Sequence, residues 1–93
     1  MNMKQDVLFT DFKQRLRDLK RAAGTYKDPA INKFGKFAVN EAKKILNDTT
    51  YQPSYDFEKI KKEYFGEEMI PYRLQALMRE ILYMLTKLAA LRK

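Results

Sequence analysis

The stretch 71-PYRLQALMREILYMLTKLAALRK-93 decides the fold, because its apolar residues recur every three or four positions, as on one side of an α-helix. They cover roughly half of the helix circumference, which is wider than the ~100° stripe of an ordinary surface helix. A helix that is apolar over so wide an arc needs neighbours on at least two sides. We therefore expect this C-terminal helix, about residues 71–92, to lie at the centre of the domain.

Two amphipathic patterns in the first half of the chain predict the first and second helices. An apolar seam with steps of three and four residues predicts a helix over about 4–23, and Gly24 is a natural residue to end it. Asp28 and Pro29 are typical of an N-cap and a first helical residue. The second helix should therefore cover about 29–47.

A shorter third helix is predicted between the second helix and the C-terminal one. Ser54 is a suitable N-cap, the apolar spacing continues to residue 65, and Gly66 should end the helix. Pro71 should then be the first residue of the last helix. No internal repeat or long linker interrupts the chain. The sequence thus predicts an all-α, four-helix domain over residues 1–93, with helices at about 4–23, 29–47, 54–65 and 71–92.

The composition argues against most catalytic and metal sites. The chain has no cysteine, so disulfides, thiolate metal ligands and thiol nucleophiles are excluded. It has no histidine, which is the commonest general base and transition-metal ligand. The single serine, Ser54, has no activating neighbour in the sequence. We therefore expect a protein that is not an enzyme and that uses no metal and no cofactor.

Hydropathy predicts no membrane span. The longest apolar run near the C-terminus, 81–85, is far shorter than the ~20 residues that cross a bilayer. The first residues carry Asp6 and Asp11 within a short apolar stretch, which does not resemble a signal peptide. We expect a cytoplasmic protein without a membrane partner.

The charge is strongly basic and unevenly distributed. The net charge of +7 comes from +5 in residues 1–50, −2 in 51–70 and +4 in 71–93. A surplus of this size indicates a polyanionic partner, or simply a protein kept away from its isoelectric point.

The second helix carries the most suggestive surface, because basic and asparagine side chains share the side opposite its apolar stripe. Lysine reaches phosphates and asparagine can pair with an adenine edge, so such a face suits nucleic acid. The alternative is a face that only meets solvent, which is the commoner meaning of a charge run. The residues predicted to bind nucleic acid on this face are Lys33, Lys36, Asn40, Lys43 and Lys44.

Three further cations could extend this surface. Arg17 and Arg21 lie on a basic stripe of the first helix, and Lys27 follows in the turn. Lys20 is on the same stripe, but we expect its stem to cover the edge of a packing seam. A four- or five-residue connection between the first two helices is compatible with a helix-turn-helix arrangement, although the glycine pattern of its turn is incomplete.

Several aromatic residues fall outside the apolar stripes. Tyr51 and Tyr55 flank Pro53 in a loop, where we expect them to be available for a macromolecular contact, although Tyr55 could equally pack over the third helix. Phe37 falls at the edge of the basic face.

Self-association is expected from the width of the apolar arc, which three neighbouring helices, one of them short, should not cover completely. The predicted homodimer interface consists of Leu74, Met84, Leu88 and Leu91.

The function that these patterns favour is a small, non-enzymatic nucleic-acid-binding or regulatory protein. The alternative is an adaptor or inhibitor that docks on a protein, through its basic face on an acidic partner or through its apolar C-terminal helix in a groove. A phage or mobile element could encode either kind, although composition does not establish a source.

Overall fold

Four helices and no strand make up the part of the chain that the structure, a computed structural model, describes, which is residues 2–24 and 28–91. The helices are α1 (Met3–Ala23), α2 (Asp28–Asn47), α3 (Phe57–Phe65) and α4 (Tyr72–Ala90). The predicted all-α, four-helix fold is confirmed. Lys27, the rest of the turn at 25–27 and the proposed side-chain cap by Asp28 lie outside what the structure describes.

Helix α4 lies at the centre, as the sequence predicts. It packs most extensively against α1 and α2, while α3 packs against α2. The apolar side chains of α4 interlock with those of the other helices in one cluster of buried residues. The largest fully buried side chains are Phe12, Leu19, Phe34, Ile45, Met78, Ile81, Leu85 and Leu88.

The start of α1 is tied to the end of α4 by two amide side chains. Asn2 and Gln5 form a capping box, in which the Asn2 side chain accepts from the Gln5 backbone N–H at 2.8 Å. The Asn2 side-chain amide also donates to the Leu91 carbonyl at 2.7 Å, and that of Gln5 donates to the Leu88 carbonyl at 3.3 Å. These bonds satisfy carbonyl groups at the C-terminal end of α4 that have no partner within the helix.

The predicted N-cap of the third helix, Ser54, was wrong by two residues. Helix α3 begins at Phe57, and its N-cap is Asp56, whose side chain accepts from the Lys59 N–H at 3.3 Å. Ser54 is in the preceding loop. The end is as expected, since Gly66 has a positive φ of 68°.

Both ends of the last helix differ slightly from the prediction. Pro71 is the N-cap and not the first helical residue, because its ψ of 140° is extended. The helix ends at Ala90, with Leu91 in a turn. None of the helices in the described ranges is long and apolar enough to cross a membrane.

Two of the four residues predicted to form a dimer interface are buried within one chain. The expectation that the other helices leave this part of the apolar arc uncovered was therefore wrong for these two residues. Leu74 is 2% exposed and Leu88 is 1% exposed, because α1 and α2 pack along α4 and cover more of its apolar arc than expected. Met84 and Leu91 are partly exposed. A homodimer through these last two residues stays a prediction, which sedimentation equilibrium at micromolar concentration would test.

Candidate nucleic-acid interface

The predicted basic face of α2 lies on the outside of the bundle. Its five residues, Lys33, Lys36, Asn40, Lys43 and Lys44, are all exposed. The helical period places them opposite Ala38 and Ile45, which are completely buried. The packing of the apolar stripe on α4 therefore fixes the direction in which the basic face points.

Three of these lysines have no anionic partner among the described residues. No ion pair joins Lys33, Lys36 or Lys43 to a carboxylate in residues 2–24 and 29–91. By contrast, Lys61 pairs with Glu58 and Lys62 with Glu67, each at 3.0 Å. The positive charge on α2 is thus left for solvent or a partner, whereas much of the charge on α3 is balanced locally.

Lys44 differs from the other lysines of the face. Its ammonium lies 3.6 Å from the Glu41 carboxylate and 5.7 Å from the centroid of the Tyr51 ring. These contacts hold the side chain over the edge of α2 that faces the loop after it. Lys44 therefore offers a partner less unbalanced charge than Lys36 or Lys43 does.

A groove of about 450 Å³ runs between α1 and α2 beside the basic face. Glycine and apolar side chains contribute to it, and no carboxylate is among its lining residues. Three lysines and two asparagines, one lysine being from α1, supply its polar groups. The lining residues are Leu16, Lys20, Asn32, Gly35, Lys36, Val39, Asn40 and Lys43.

Lys20 and Asn32 belong to this groove and were not among the residues predicted to bind. The stem of Lys20 does cover a packing seam, as expected, since its Cε lies against the backbone of α2 at Gly35. The sequence placed Lys20 on the basic stripe of α1, but only the packing of α1 on α2 brings it beside Lys36 and Lys43.

Arg17 and Arg21 are exposed on α1 but do not line the groove. The Arg17 guanidinium donates to the Gln14 side chain, with Nη2 at 2.8 Å from Oε1. These two arginines can therefore extend the basic surface at its margin only.

The charged residues on the other side of α1 pair with one another. Arg15 donates to Glu80 of α4 and to Asp18, each at 3.0 Å. The hydrogen bond to Glu80 is the largest cause of a raised pKa of Arg15. The hydrogen bond from Gln14, followed by that from Arg15, lowers the pKa of Asp18. The acidic groups paired here are not among the residues that line the α1–α2 groove.

A buried carboxylate, Glu41, anchors the loop 48–56 to α2. Glu41 is 6% exposed, and its Oε1 accepts the hydroxyl of Tyr51 at 2.5 Å and that of Tyr55 at 3.0 Å. The hydrogen bond to Glu41 raises the pKa of Tyr51. Burial, followed by the hydrogen bond to Glu41, raises the pKa of Tyr55 well above its ordinary value.

The expectation that Tyr51 and Tyr55 are free for a partner was therefore wrong for their hydroxyl groups. Both side chains are partly buried and directed to the same carboxylate. The only sequence signal was an acidic residue beside the apolar stripe of α2, followed ten and fourteen residues later by tyrosines. A buried carboxylate needs hydrogen-bond donors, and these tyrosines supply them.

Phe37 also has a structural role. Its ring lies edge-on to that of Tyr55 at 6.2 Å and tilted against that of Tyr64 at 5.8 Å. Aromatic pairs at these distances add to the stability that burial alone provides. The cluster fixes α3 and the loop against one edge of α2, so that the basic face lies between this cluster and α1.

The chain matches no protein-family model, no curated protein and no solved structure. Within the described ranges, no group of three or more acidic side chains is placed so that it could hold a metal ion.

Proposed function

We propose that this protein is a small nucleic-acid-binding protein of regulatory type that contacts its ligand through the exposed face of α2. One observation carries the proposal: Lys33, Lys36 and Lys43 project from one rigid helix face without an ion pair among the described residues. These three lysines, unlike Lys44, are not paired with a described carboxylate and present their full positive charge to phosphates.

The lysines supply affinity in this proposal, and Asn40 supplies base contact. Each lysine that neutralises a phosphate releases counterions, so binding weakens as salt rises. Asn40 lies between Lys36 and Lys43 on the exposed face, where its amide can pair with the N6 and N7 atoms of adenine. From Lys33 to Lys44 the face is about 16 Å long, which corresponds to about five base pairs at 3.4 Å each.

Charge reversal tests the proposal. Binding of fluorescent duplex DNA, single-stranded DNA and RNA should be titrated at two salt concentrations for the wild type and for Lys36→Glu with Lys43→Glu. The double variant should lose binding while keeping its helicity and melting temperature, because both side chains point away from the core.

A matched control distinguishes the effect of the α2 face on binding from the effect of the overall net charge. Lys59→Glu with Lys87→Glu changes the net charge equally at exposed positions of α3 and α4, and it should keep most of the affinity. Equal loss in both double variants would show that overall charge, and not the α2 face, drives binding. No binding by the wild type at low salt would refute the proposal.

A second function is favoured by the outer face of α4, namely docking on another protein. Tyr72 is 85% exposed and Tyr83 is 61% exposed, and a groove beside Tyr72 is lined by Ala76 and Arg79. Exposed tyrosine and arginine side chains are typical of the residues that dominate protein interfaces. If this function holds, a stoichiometric partner that survives nuclease treatment should be lost with Tyr72→Ala and Tyr83→Ala but kept with the α2 charge reversal.

A further inference from the structure

A second row of heptad spacing runs along the exposed side of α4, opposite the buried apolar residues. Its members follow one another in steps of four and three residues, which is the spacing against which a second helix packs. All of them are exposed, and only one is charged, whereas the exposed side of a helix usually carries charged residues. The residues of this outer seam are Tyr72, Ala76, Arg79, Tyr83, Thr86 and Ala90.

Helices α1 and α3 border the outer seam without covering it. On one side, Arg15 of α1 reaches the Glu80 carboxylate at 3.0 Å. On the other side, the guanidinium carbon of Arg79 lies 4.4 Å from the centroid of the Phe57 ring of α3. The two tyrosines of the seam stay exposed between these contacts. The seam is thus open to a further helix along its length.

The charge beside the outer seam is basic. Helix α4 has three basic residues and one acidic residue, Glu80. The charge of Glu80 is balanced within the chain by Arg15. No ion pair joins Arg73 or Lys87 to a carboxylate in residues 2–24 and 29–91. A helix that packs on this seam is therefore favoured by acidic residues at its own flanking positions.

A second copy of this chain does not supply such residues at this seam. If two α4 helices pair antiparallel along their full length, Arg73 of one copy comes beside Lys87 of the other. If they pair in parallel, each cation comes beside its own counterpart. Like charges placed side by side oppose association, so the occupant of this seam differs in charge from this chain.

We propose that the outer seam of α4 binds an acidic amphipathic helix of another protein. This inference rests on the proposed protein-docking function and names the chemistry of the partner. Apolar side chains of the partner pack between Tyr72 and Tyr83, and one of them enters the groove of about 350 Å³ that Ala76 helps to line. Its acidic side chains pair with Arg73 and Lys87, which lie about 21 Å apart along α4.

Two designed peptides of about 21 residues, long enough to cover the ~27 Å from Tyr72 to Ala90, test the inference. Both have leucine and alanine at the seam positions, but one has glutamate and the other lysine at the flanking positions. In fluorescence anisotropy at low salt, the wild type should bind the glutamate peptide at least about ten-fold more tightly than the lysine peptide. Arg73→Glu with Lys87→Glu should reverse this preference and keep the melting temperature, because both side chains are exposed.

Two further double variants separate the seam from the overall charge. Lys33→Glu with Lys36→Glu changes the net charge equally at exposed positions of α2, and it should keep the preference for the glutamate peptide. Tyr72→Ala with Tyr83→Ala should weaken binding of that peptide several-fold, because the aromatic contacts of the seam are lost.

Three results would overturn the inference. They are an unchanged preference after charge reversal at Arg73 and Lys87, an equal reversal by the α2 variant, and displacement of the peptide from the α2 variant by duplex DNA. A native protein partner that is lost with the tyrosine variant, while neither peptide binds the wild type, would keep the docking function and refute only the acidic helix.

Discussion

The carboxylate of Glu41 accepts the hydroxyl of Tyr51 at 2.5 Å, and this contact joins the middle of α2 to the loop that follows it. The same carboxylate oxygen accepts the hydroxyl of Tyr55 at 3.0 Å. Because the loop leads directly into α3, the two hydrogen bonds position α3 as well. Glu41, although it lies on a largely basic and asparagine-rich helix, thus supports the scaffold and does not face the candidate ligand.

Glu41→Ala should destabilise the protein by about 2 kcal/mol, because hydrogen bonds to charged groups contribute about 1.5–3 kcal/mol each and both tyrosines are only partly buried. Urea denaturation followed by circular dichroism measures the change. Glu63→Ala, at an exposed position of α3, is the control and should stay within ~0.5 kcal/mol of the wild type. A Glu41 variant as stable as the control would show that the loop is held by other contacts.

Stability should fall as the pH rises above the ordinary tyrosine pKa of about 10. The folded protein raises the pKa of both Tyr51 and Tyr55, so their neutral forms stabilise the fold at lower pH, and this contribution is lost as the pH rises. Tyr51→Phe with Tyr55→Phe should show a weaker decline between pH 9 and 11. Parallel curves for the two proteins would contradict the assignment.

Ile81→Ala should cost about 2–5 kcal/mol of unfolding free energy, because Ile81 is completely buried on the central helix. In a domain of this size such a loss should lower the melting temperature by many degrees. Thr86→Ala, at an exposed position of the same helix, is the control. A melting temperature unchanged by Ile81→Ala would mean that α4 is not the centre of the fold.

Gly35→Ala should stabilise the protein by about 0.5–1 kcal/mol, because alanine is favoured in a helix interior and the new Cβ makes only an ordinary contact with Lys20. Chemical denaturation measures the gain. Gly66→Ala is the opposite case, since its φ of 68° disfavours any side chain, and it should destabilise. A loss of stability with Gly35→Ala would show that the packing of α1 on α2 needs glycine there.

The sequence predicted the helices whose ends are marked locally. The apolar spacing of the four helices, the Asp28–Pro29 start of α2 and the positions of Gly24 and Gly66 were sufficient to predict the four-helix fold. The start of α3 was missed because Ser54 and Asp56 are both good N-caps, and the residue that caps the helix is Asp56, with Tyr55 before it bonded to Glu41. Local propensity cannot distinguish two suitable caps in one loop.

The site was predictable only as one face of one helix. The helical period placed Lys36 and Lys43 on the exposed side of α2, but it carries no information on which residues of α1 lie beside them. Only the packing of the helices in the structure shows that Lys20 and Asn32 line the groove. For the same reason, periodicity could place Leu74 and Leu88 on the apolar side of α4, but it could not show that their own chain covers them.

The salt dependence of nucleic-acid binding tests the central claim most directly. The logarithm of the association constant should be measured against the logarithm of salt concentration for the wild type, for Lys36→Gln with Lys43→Gln, and for Lys59→Gln with Lys87→Gln. We expect the α2 double variant to lower the slope by about two, because each lost phosphate contact removes about one, while the control leaves the slope unchanged. Equal slopes for all three proteins, or a wild type that binds no nucleic acid at low salt, would contradict the claim that the α2 face binds phosphates.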